Sequence, residues 1–523
     1  MKLSTKKSLY RFLILLSSGG VVILLFIFLT SYLENKIESK IVSLNGKVSS
    51  VYINLFARTL HVENLELFPK DGSPYGLNLK KISITGLNLY QILTSDKIII
   101  HELNVQDGRL LYDKSLKVAE IVRSSLETQQ VFIRNMKLTN ILSEIRTDTV
   151  VNFSTLSNFT IKGFSIKADS LNEPVYSASA MDCELKNINI SRSSGMYGMS
   201  VSSFSFKSDD KRIIIDSVLL IPNVSKFEFA HKKGEQVGRV NLSVPQIVVE
   251  GITLEELIDS VYSATKVEIT SFDLHSFKDK RVPFRRDYNI PLPMESFLKL
   301  PYSITVDSLV IKDSRVTIEE IAETETGTKS GRVTFEHINA LSGRISNRYS
   351  KKDPPSTVLY AKGLMMGSGL ISAAFTFPLN GSPTYYAKGS IGEMPFEKLN
   401  PLLGNLIRFR IESGTLNSLK FDFQYNDLQS TGNMEIDYVG VKITGLNKDH
   451  DKSDVKTLLA NTIVKNDKSK SLPIEKRTGV INAERDKKRY IFNIWWRSIL
   501  SGLKSTVLGI EGKTKPKENK ENK

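Results

Sequence analysis

The sequence predicts a mainly β protein whose strands pair into a long antiparallel sheet, with one N-terminal transmembrane helix and a short C-terminal amphipathic helix. Three observations predict it. Apolar and polar residues alternate with period two along residues 48–445, the pattern of half-buried strands. Helical spacing is confined to a few short stretches. One uncharged apolar run, Phe12–Leu33, has the length of a membrane span.

The apolar run comes first. Its 22 residues reach about 33 Å as a helix, against a hydrocarbon core of about 30 Å. A cleaved signal peptide has a shorter apolar core and a small-x-small cleavage site. Tyr32-Leu33-Glu34-Asn35 offers no such site, so the run reads as an uncleaved signal anchor; the alternative is a long signal peptide that is removed. Lys2, Lys6, Lys7 and Arg11 place the preceding end on the cytoplasmic side. Everything after Glu34 is then expected across the membrane.

The body follows. Ile82 with Ile84, Leu87 with Leu89, Phe204 with Phe206, and Phe421 with Phe423 and Tyr425 show the alternation. So do Val201, Ile213 with Ile215, Phe227 with Phe229, and Val240 with Leu242 and Val244. About sixteen such runs are bounded by Gly, Asn, Asp, Ser or Pro. An internal repeat matches Leu103–Tyr112 to Leu309–Ile318, with Asp107-Gly108 and Asp313-Ser314 at equivalent places. Asp tolerates turn geometry and Gly supplies positive φ, so each unit reads as a hairpin. Weaker echoes lie at Met136–Asn140 and Phe272–Leu274.

Helices are few. Ile252–Thr265 and Phe396–Asn405 carry helical spacing. Neither is long enough to cover such a sheet. Its apolar face therefore needs a second sheet, closure into a barrel, or an apolar ligand. Pro283, Pro291, Pro293 and Pro301 mark a joint between β regions at 34–290 and 291–445. Residues 446–488 read as a polar, lysine-rich linker of unassigned role. Residues 489–512 read as an amphipathic helix that lies on a membrane or plugs the end of a sheet. Trp495, Trp496, Arg497 and Lys504 are its candidate membrane-interface residues. Residues 513–523 read as a disordered basic tail.

Charge and chemistry narrow the function. The chain carries a net +15. Residues 1–11 carry four basic residues and no acid, and residues 442–523 carry 20 basic against 10 acidic. The body between is nearly neutral, with 47 basic against 46 acidic. A nucleic-acid-binding domain would need a basic stripe on its folded surface. Basic ends beside apolar segments suit a membrane surface. The single cysteine, Cys183, forms no intramolecular disulfide and no zinc knuckle, and the six histidines show no metal-ligand spacing. Gly327-Thr-Lys329-Ser330 and Gly502-Leu-Lys504-Ser505 lack the glycine pattern of a P-loop. No enzyme, cofactor, metal site or nucleic-acid partner is expected.

Three segments carry a family resemblance. The first is the anchor followed by Val51–Ile53, Leu60–Leu67, Ile82–Leu87 and Leu103–Gly108. The second is Gly389–Gly392 with Met394–Pro401, and the third Ile411–Leu416 running on to Gly432–Met434 and Tyr438. Over nearly its whole length the chain resembles the AsmA-like family of inner-membrane-anchored periplasmic proteins, related to TamB-like and bridge-like lipid transfer proteins. The resemblance implies a sheet curled into an elongated groove whose inside holds phospholipid acyl chains. It implies lipid transport between inner and outer membrane, outer-membrane biogenesis, and no catalytic residue. Leu103, Val105, Phe204, Phe206, Leu309, Ile311, Phe421 and Phe423 are candidate groove lining, each with an ordinary core position as its alternative. The second functional reading is a tethered periplasmic scaffold that binds outer-membrane proteins or their assembly machinery.

Overall fold

The computed structural model describes residues 30–43, 45–67, 75–87, 97–114, 130–147, 150–168, 174–191, 195–259, 261–406, 408–447, 452–453 and 477–508. Most of the expected anchor, most of the 446–488 linker and the whole 513–523 tail lie outside them. Among the described residues no helix is long and apolar enough to cross a membrane. Described strands dominate: 23 belong to one sheet and three to a small second sheet.

The chain divides into two compact units, residues 1–193 with 200–210, and residues 194–199 with 211–523. The proline cluster from Pro283 to Pro301 lies inside the second unit.

The first unit holds β1 (Gly46–Lys47), β2 (Ser50–Asn54), β3 (Thr59–Leu67), β4 (Tyr75–Thr85), β5 (Lys97–Asp113) and β6 (Gln130–Thr147). It continues with β7 (Val150–Ala168), β8 (Pro174–Ser177), β9 (Ala180–Ser191) and most of β10 (Tyr197–Lys207). Strands β2 to β5 pair antiparallel in chain order. Strand β6 then pairs parallel to β5, and β7 returns antiparallel to both β6 and β9. A parallel neighbour cannot be reached through a tight turn and needs a crossover.

The second unit holds β11 (Arg212–Pro222), β12 (Gly238–Glu250), β13 (Val261–Ala264), β14 (Lys266–Thr270), β15 (Asp273–Asp279), β16 (Ser303–Val306), β17 (Leu309–Ile321) and β18 (Gly331–Ser342). Then come β19 (Ile345–Ser346), β20 (Ser356–Met365), β21 (Gly369–Pro378), β22 (Tyr385–Ile391), β23 (Met394–Pro395), β24 (Phe409–Tyr425), β25 (Gln429–Gly445) and β26 (Arg477–Glu484). Strands β14 and β15 each pair antiparallel with β12 and parallel with β17. From β17 the order β18, β20, β21, β22, β24, β25, β26 is antiparallel throughout. Strands β13, β16 and β19 form the small sheet.

Several expectations need correction. The antiparallel ladder is interrupted by the parallel pairs just named. Among the described residues the strands number 26 rather than about sixteen. In β20, Tyr360 is exposed while Thr357 and Gly363 are buried, so its apolar–polar alternation is faint. The helix expected over Ile252–Thr265 spans only Leu254–Asp259 (α2), and Val261 and Tyr262 belong to β13. Phe229 lies in a short helix, Glu228–Lys233 (α1), instead of a strand with Phe227. Phe396–Asn405 is helical as expected, as a 3-10 turn over Phe396–Leu399 followed by Asn400–Leu406 (α4). A further short helix, Pro293–Leu298 (α3), begins on a proline, whose fixed φ suits a first turn.

The expected hairpins at Asp107-Gly108 and Asp313-Ser314 are single strands that kink and run on. A type I′ hairpin needs positive φ at two successive residues. Here only the aspartates have it, at 54° and 42°. In the first unit Asn64 (φ 50°), Asp107 and Asn140 (φ 56°) stand at corresponding positions of β3, β5 and β6. In the second, Ser217 (φ 53°), Asp313 and His337 (φ 51°) do the same in β11, β17 and β18. Register places Ser217 opposite Pro245, which has no N–H to lose. A left-handed residue inside a strand bends it and increases its twist. It also shifts the side-chain phase by one: Leu60 and Val62 precede the kink in β3, Leu65 and Leu67 follow it. Each unit is thus creased across its strands.

Candidate functional site

Register converts the alternation into rows that cross the sheet. In the first unit one row is Val51, Val62, Ile82, Val105, Leu138, Phe159 and Cys183. The next is Ile53, Leu60, Ile84, Leu103, Met136, Ile161 and Met181. Every residue in both rows is apolar. The row between them, on the opposite face, is Tyr52, His61, Ser83, Asn104, Lys137, Thr160 and Asp182. At about 4.8 Å per strand the apolar band is about 29 Å long. It is partly open: Ile82, Ile84, Leu103, Met136, Leu138, Phe159, Ile161 and Met181 are half-buried. None of the short helices α1–α4 packs extensively against β4–β9.

The second unit repeats the arrangement. Ile215, Ile247, Ile269 and Ile311 form a row on β11, β12, β14 and β17. It continues through Ala340, Ala361, Ala373 and Gly389 to Phe421 and Met434. Leu309 stands in the parallel row beside Val267 and Val249. The four isoleucines are half-buried.

The far end of this face is closed. The C-terminal helix Ile491–Leu508 (α5) packs on β25 and β26. Phe421 (9% exposed) and Phe423 (3%) sit in one core with Tyr425, Met434, Ile481 and Ile494. Leu292 and Met294, beside and in α3, join the same core. Trp495 stacks on Phe375 at 4.4 Å and meets Tyr425 edge-on at 6.3 Å. Phe421 and Phe423 therefore belong to a packed core, the alternative weighed for each lining candidate. Trp495, one of the candidate membrane-interface residues, has its half-buried ring packed on the sheet. Trp496 is exposed on the outer side of α5, with Phe492, while Lys504 is exposed and Arg497 half-buried. Burial holds the Arg497 guanidinium pKa below its usual value.

The other candidates fall as follows. Leu103 and Val105 lie in adjacent apolar rows, as do Leu309 and Ile311. Phe204 is half-buried and Phe206 fully buried in β10. What the sequence reading missed is the continuity of these rows, because register is invisible without the partner strands.

The sheet's side-chain chemistry is also informative. Two of the strands with a single partner, β2 and β26, have edge amides taken by side chains. Ile53 N–H of β2 donates to Glu34 Oε1 at 2.7 Å. In β26, Val480 N–H donates to Ser505 Oγ at 2.9 Å and Asn482 N–H to Ser501 Oγ at 3.0 Å. A strand added at either edge would have to displace them.

A polar cluster centres on buried Glu319. Its carboxylate accepts from Lys226 Nζ (2.6 Å), lies 2.9 Å from His275 Nε2, and accepts from Ser330 Oγ. Burial opposes its ionisation, but those three hydrogen bonds hold the carboxyl below the usual range. Ser330 and His275 both bond the carboxylate rather than each other, so the imidazole is not in line to take the hydroxyl proton. Burial, and next Glu184, push the Cys183 thiol up to about 11, which keeps it protonated and inert at neutral pH. A shallow depression of about 560 Å³ lies over Ser372, Ala374 and Ser390. Lys388, Lys420 and Asp422 line it, a charged rim that does not suit an apolar ligand.

The chain matches no protein-family model and no curated protein.

Proposed function

We propose that the chain is a lipid-handling protein that binds acyl chains along the apolar rows of its sheet, used in a groove-like manner. The observation that carries the reading is the pair of seven-residue rows in the first unit, wholly apolar, partly open and backed by a row of mostly polar residues on the opposite face. A sheet of this size ordinarily hides such a face against a second layer. Acyl chains laid across the strands would cover it, releasing roughly 0.8 kcal/mol per CH₂ buried. The rows run perpendicular to the strands, the direction in which a long chain meets the most apolar side chains.

The sequence resemblance to the AsmA-like family points the same way. With the apolar run at Phe12–Leu33 and the basic N-terminal end, it supports a single-pass inner-membrane protein with its body in the periplasm. The role proposed is phospholipid movement between the two membranes, serving outer-membrane biogenesis. Purifying the full chain from membranes, extracting with organic solvent and measuring lipid by mass spectrometry tests the reading. Stoichiometric phospholipid is expected. Folded, lipid-free protein counts against it.

A further inference from the structure

The apolar face of the second unit ends in cations. On β15, Leu274, Ser276 and Lys278 point to one side, and on β17 Val316, Ile318 and Glu320 are their register partners. Lys278 thus closes a line of mostly apolar residues. Glu320 is held in a close ion pair by Lys280. Lys278 itself makes no hydrogen bond or ion pair among the described residues. The charged groups acting on it are Glu320, Arg489, Lys280 and Arg286, three cations against one carboxylate.

The two arginines are fixed in place. Arg286 Nη1 donates to Lys488 O at 2.9 Å. Its guanidinium lies between Phe284, Tyr288 and Tyr490, 5.2–5.9 Å from their ring centres. Its Nε is buried without an acceptor among the described residues. Arg489 stacks over Phe284 at 4.1 Å and pairs with Asp486 at 3.0 Å. Buried cations are ordinarily paired. Lys278 thus lies in the field of two guanidiniums at the end of an apolar face, and the one carboxylate acting on it, Glu320, is already held by Lys280.

We propose that Lys278, Arg286 and Arg489 form a binding site for a phosphate-bearing anion. Guanidinium groups match phosphate oxygens in pairs, and an ammonium adds a point charge. The proposal deepens the lipid reading and rests on it for the source of the phosphate, a phospholipid head group whose tails follow the adjacent rows. Free phosphate shares the chemistry, so the experiment separates the two.

The full chain, purified in detergent, is titrated with inorganic phosphate and with glycerol phosphate. It is then tested for pelleting with vesicles of phosphatidylglycerol or of phosphatidylcholine. Wild type is expected to bind the soluble phosphates in a salt-sensitive way and to prefer the anionic vesicles. Lys278→Met should weaken phosphate binding by about tenfold or more, and Lys278→Arg by no more than about threefold. Lys388→Gln, on the opposite face, should change nothing. Thermal unfolding of each variant separates lost binding from lost fold; if Lys278→Met does not fold, Lys278→Gln takes its place. Phosphate binding without vesicle preference or co-purified lipid would leave an anion site and remove the lipid source. Co-purified lipid with no phosphate binding, or with binding equal in Lys278→Met, overturns the site and leaves the lipid reading standing.

Discussion

Asn140 donates from its side-chain Nδ2 to Asp107 Oδ1 at 3.2 Å, across parallel strands, at the one residue in each strand where φ is positive. The Asn140 backbone N–H in turn donates to Asn158 Oδ1 at 2.9 Å. His337 Nδ1 and Asp313 Oδ1 stand 2.8 Å apart at the crease of the second unit. Short polar side chains tolerate the left-handed region and bond locally there. The creases are therefore written in Asn, Asp, Ser and His, while the rows on either side are apolar.

This gives a first prediction. Asn140→Gly should be nearly neutral, because glycine accepts the positive φ. Asn140→Ile should cost about 1–3 kcal/mol, since a β-branched residue is strained there. Chemical denaturation of the two variants checks the difference; equal stabilities would mean that the crease imposes no such demand.

A second concerns Phe423 and Asp422. Phe423 lies in the core beneath α5, so Phe423→Asp buries an unpaired charge and should unfold or severely destabilise the second unit. Asp422 is exposed and pairs with Lys388 at 3.3 Å, a surface contact of about 0–1 kcal/mol. Asp422→Lys should shift the thermal midpoint little. A folded Phe423→Asp protein would contradict the closed core.

A third tests how α5 is seated. A Cβ on Gly502 would come within 2.9 Å of the Met434 side chain. Gly502→Val should lift the helix from β25 at about 1–3 kcal/mol. Tryptophan fluorescence should move to the red as Trp495 leaves Phe375. An unchanged spectrum and midpoint would show that the helix has slack.

A fourth follows from Lys278. Burial, the largest effect, lowers its pKa from 10.5 to about 8. Below pH 8 both folded and unfolded states hold the proton, and the folded state bears the full penalty. Between about 8 and 10.5 the unfolded state binds more protons, so this group's contribution to stability rises with pH. Lys278→Met should be the more stable protein at pH 7, by on the order of 2 kcal/mol, with the gap closing by pH 10.5. A gap independent of pH would contradict the burial of the ammonium.

Parts of this were legible in the sequence. Leu103 with Val105 and Leu309 with Ile311 announce strands by alternation, and the match between their segments reflects one structural unit, each kinked at its aspartate. The kink itself was misread, because Asp-Gly and Asp-Ser suit a hairpin and a one-residue bulge alike, and only the partner strand decides. Register was hidden for the same reason. So was the relation between Lys278 and Arg489, which are 211 residues apart (489 minus 278) in the chain and come into electrostatic range only through the path from β15 to the start of α5. Trp495 was ambiguous because a helix face made for a sheet and one made for a membrane share the same period.

The central claim is that the apolar rows of the first unit hold acyl chains. Site-specific photocrosslinking in cells tests it most directly, with a benzophenone amino acid placed singly at Leu103, Met136, Asn104 or Lys137. Leu103 and Met136 are neighbours in one apolar row, and Asn104 and Lys137 are neighbours on the polar face. The account predicts lipid adducts at the first two positions and none at the second two. Adducts at both faces equally, or at neither, would contradict it.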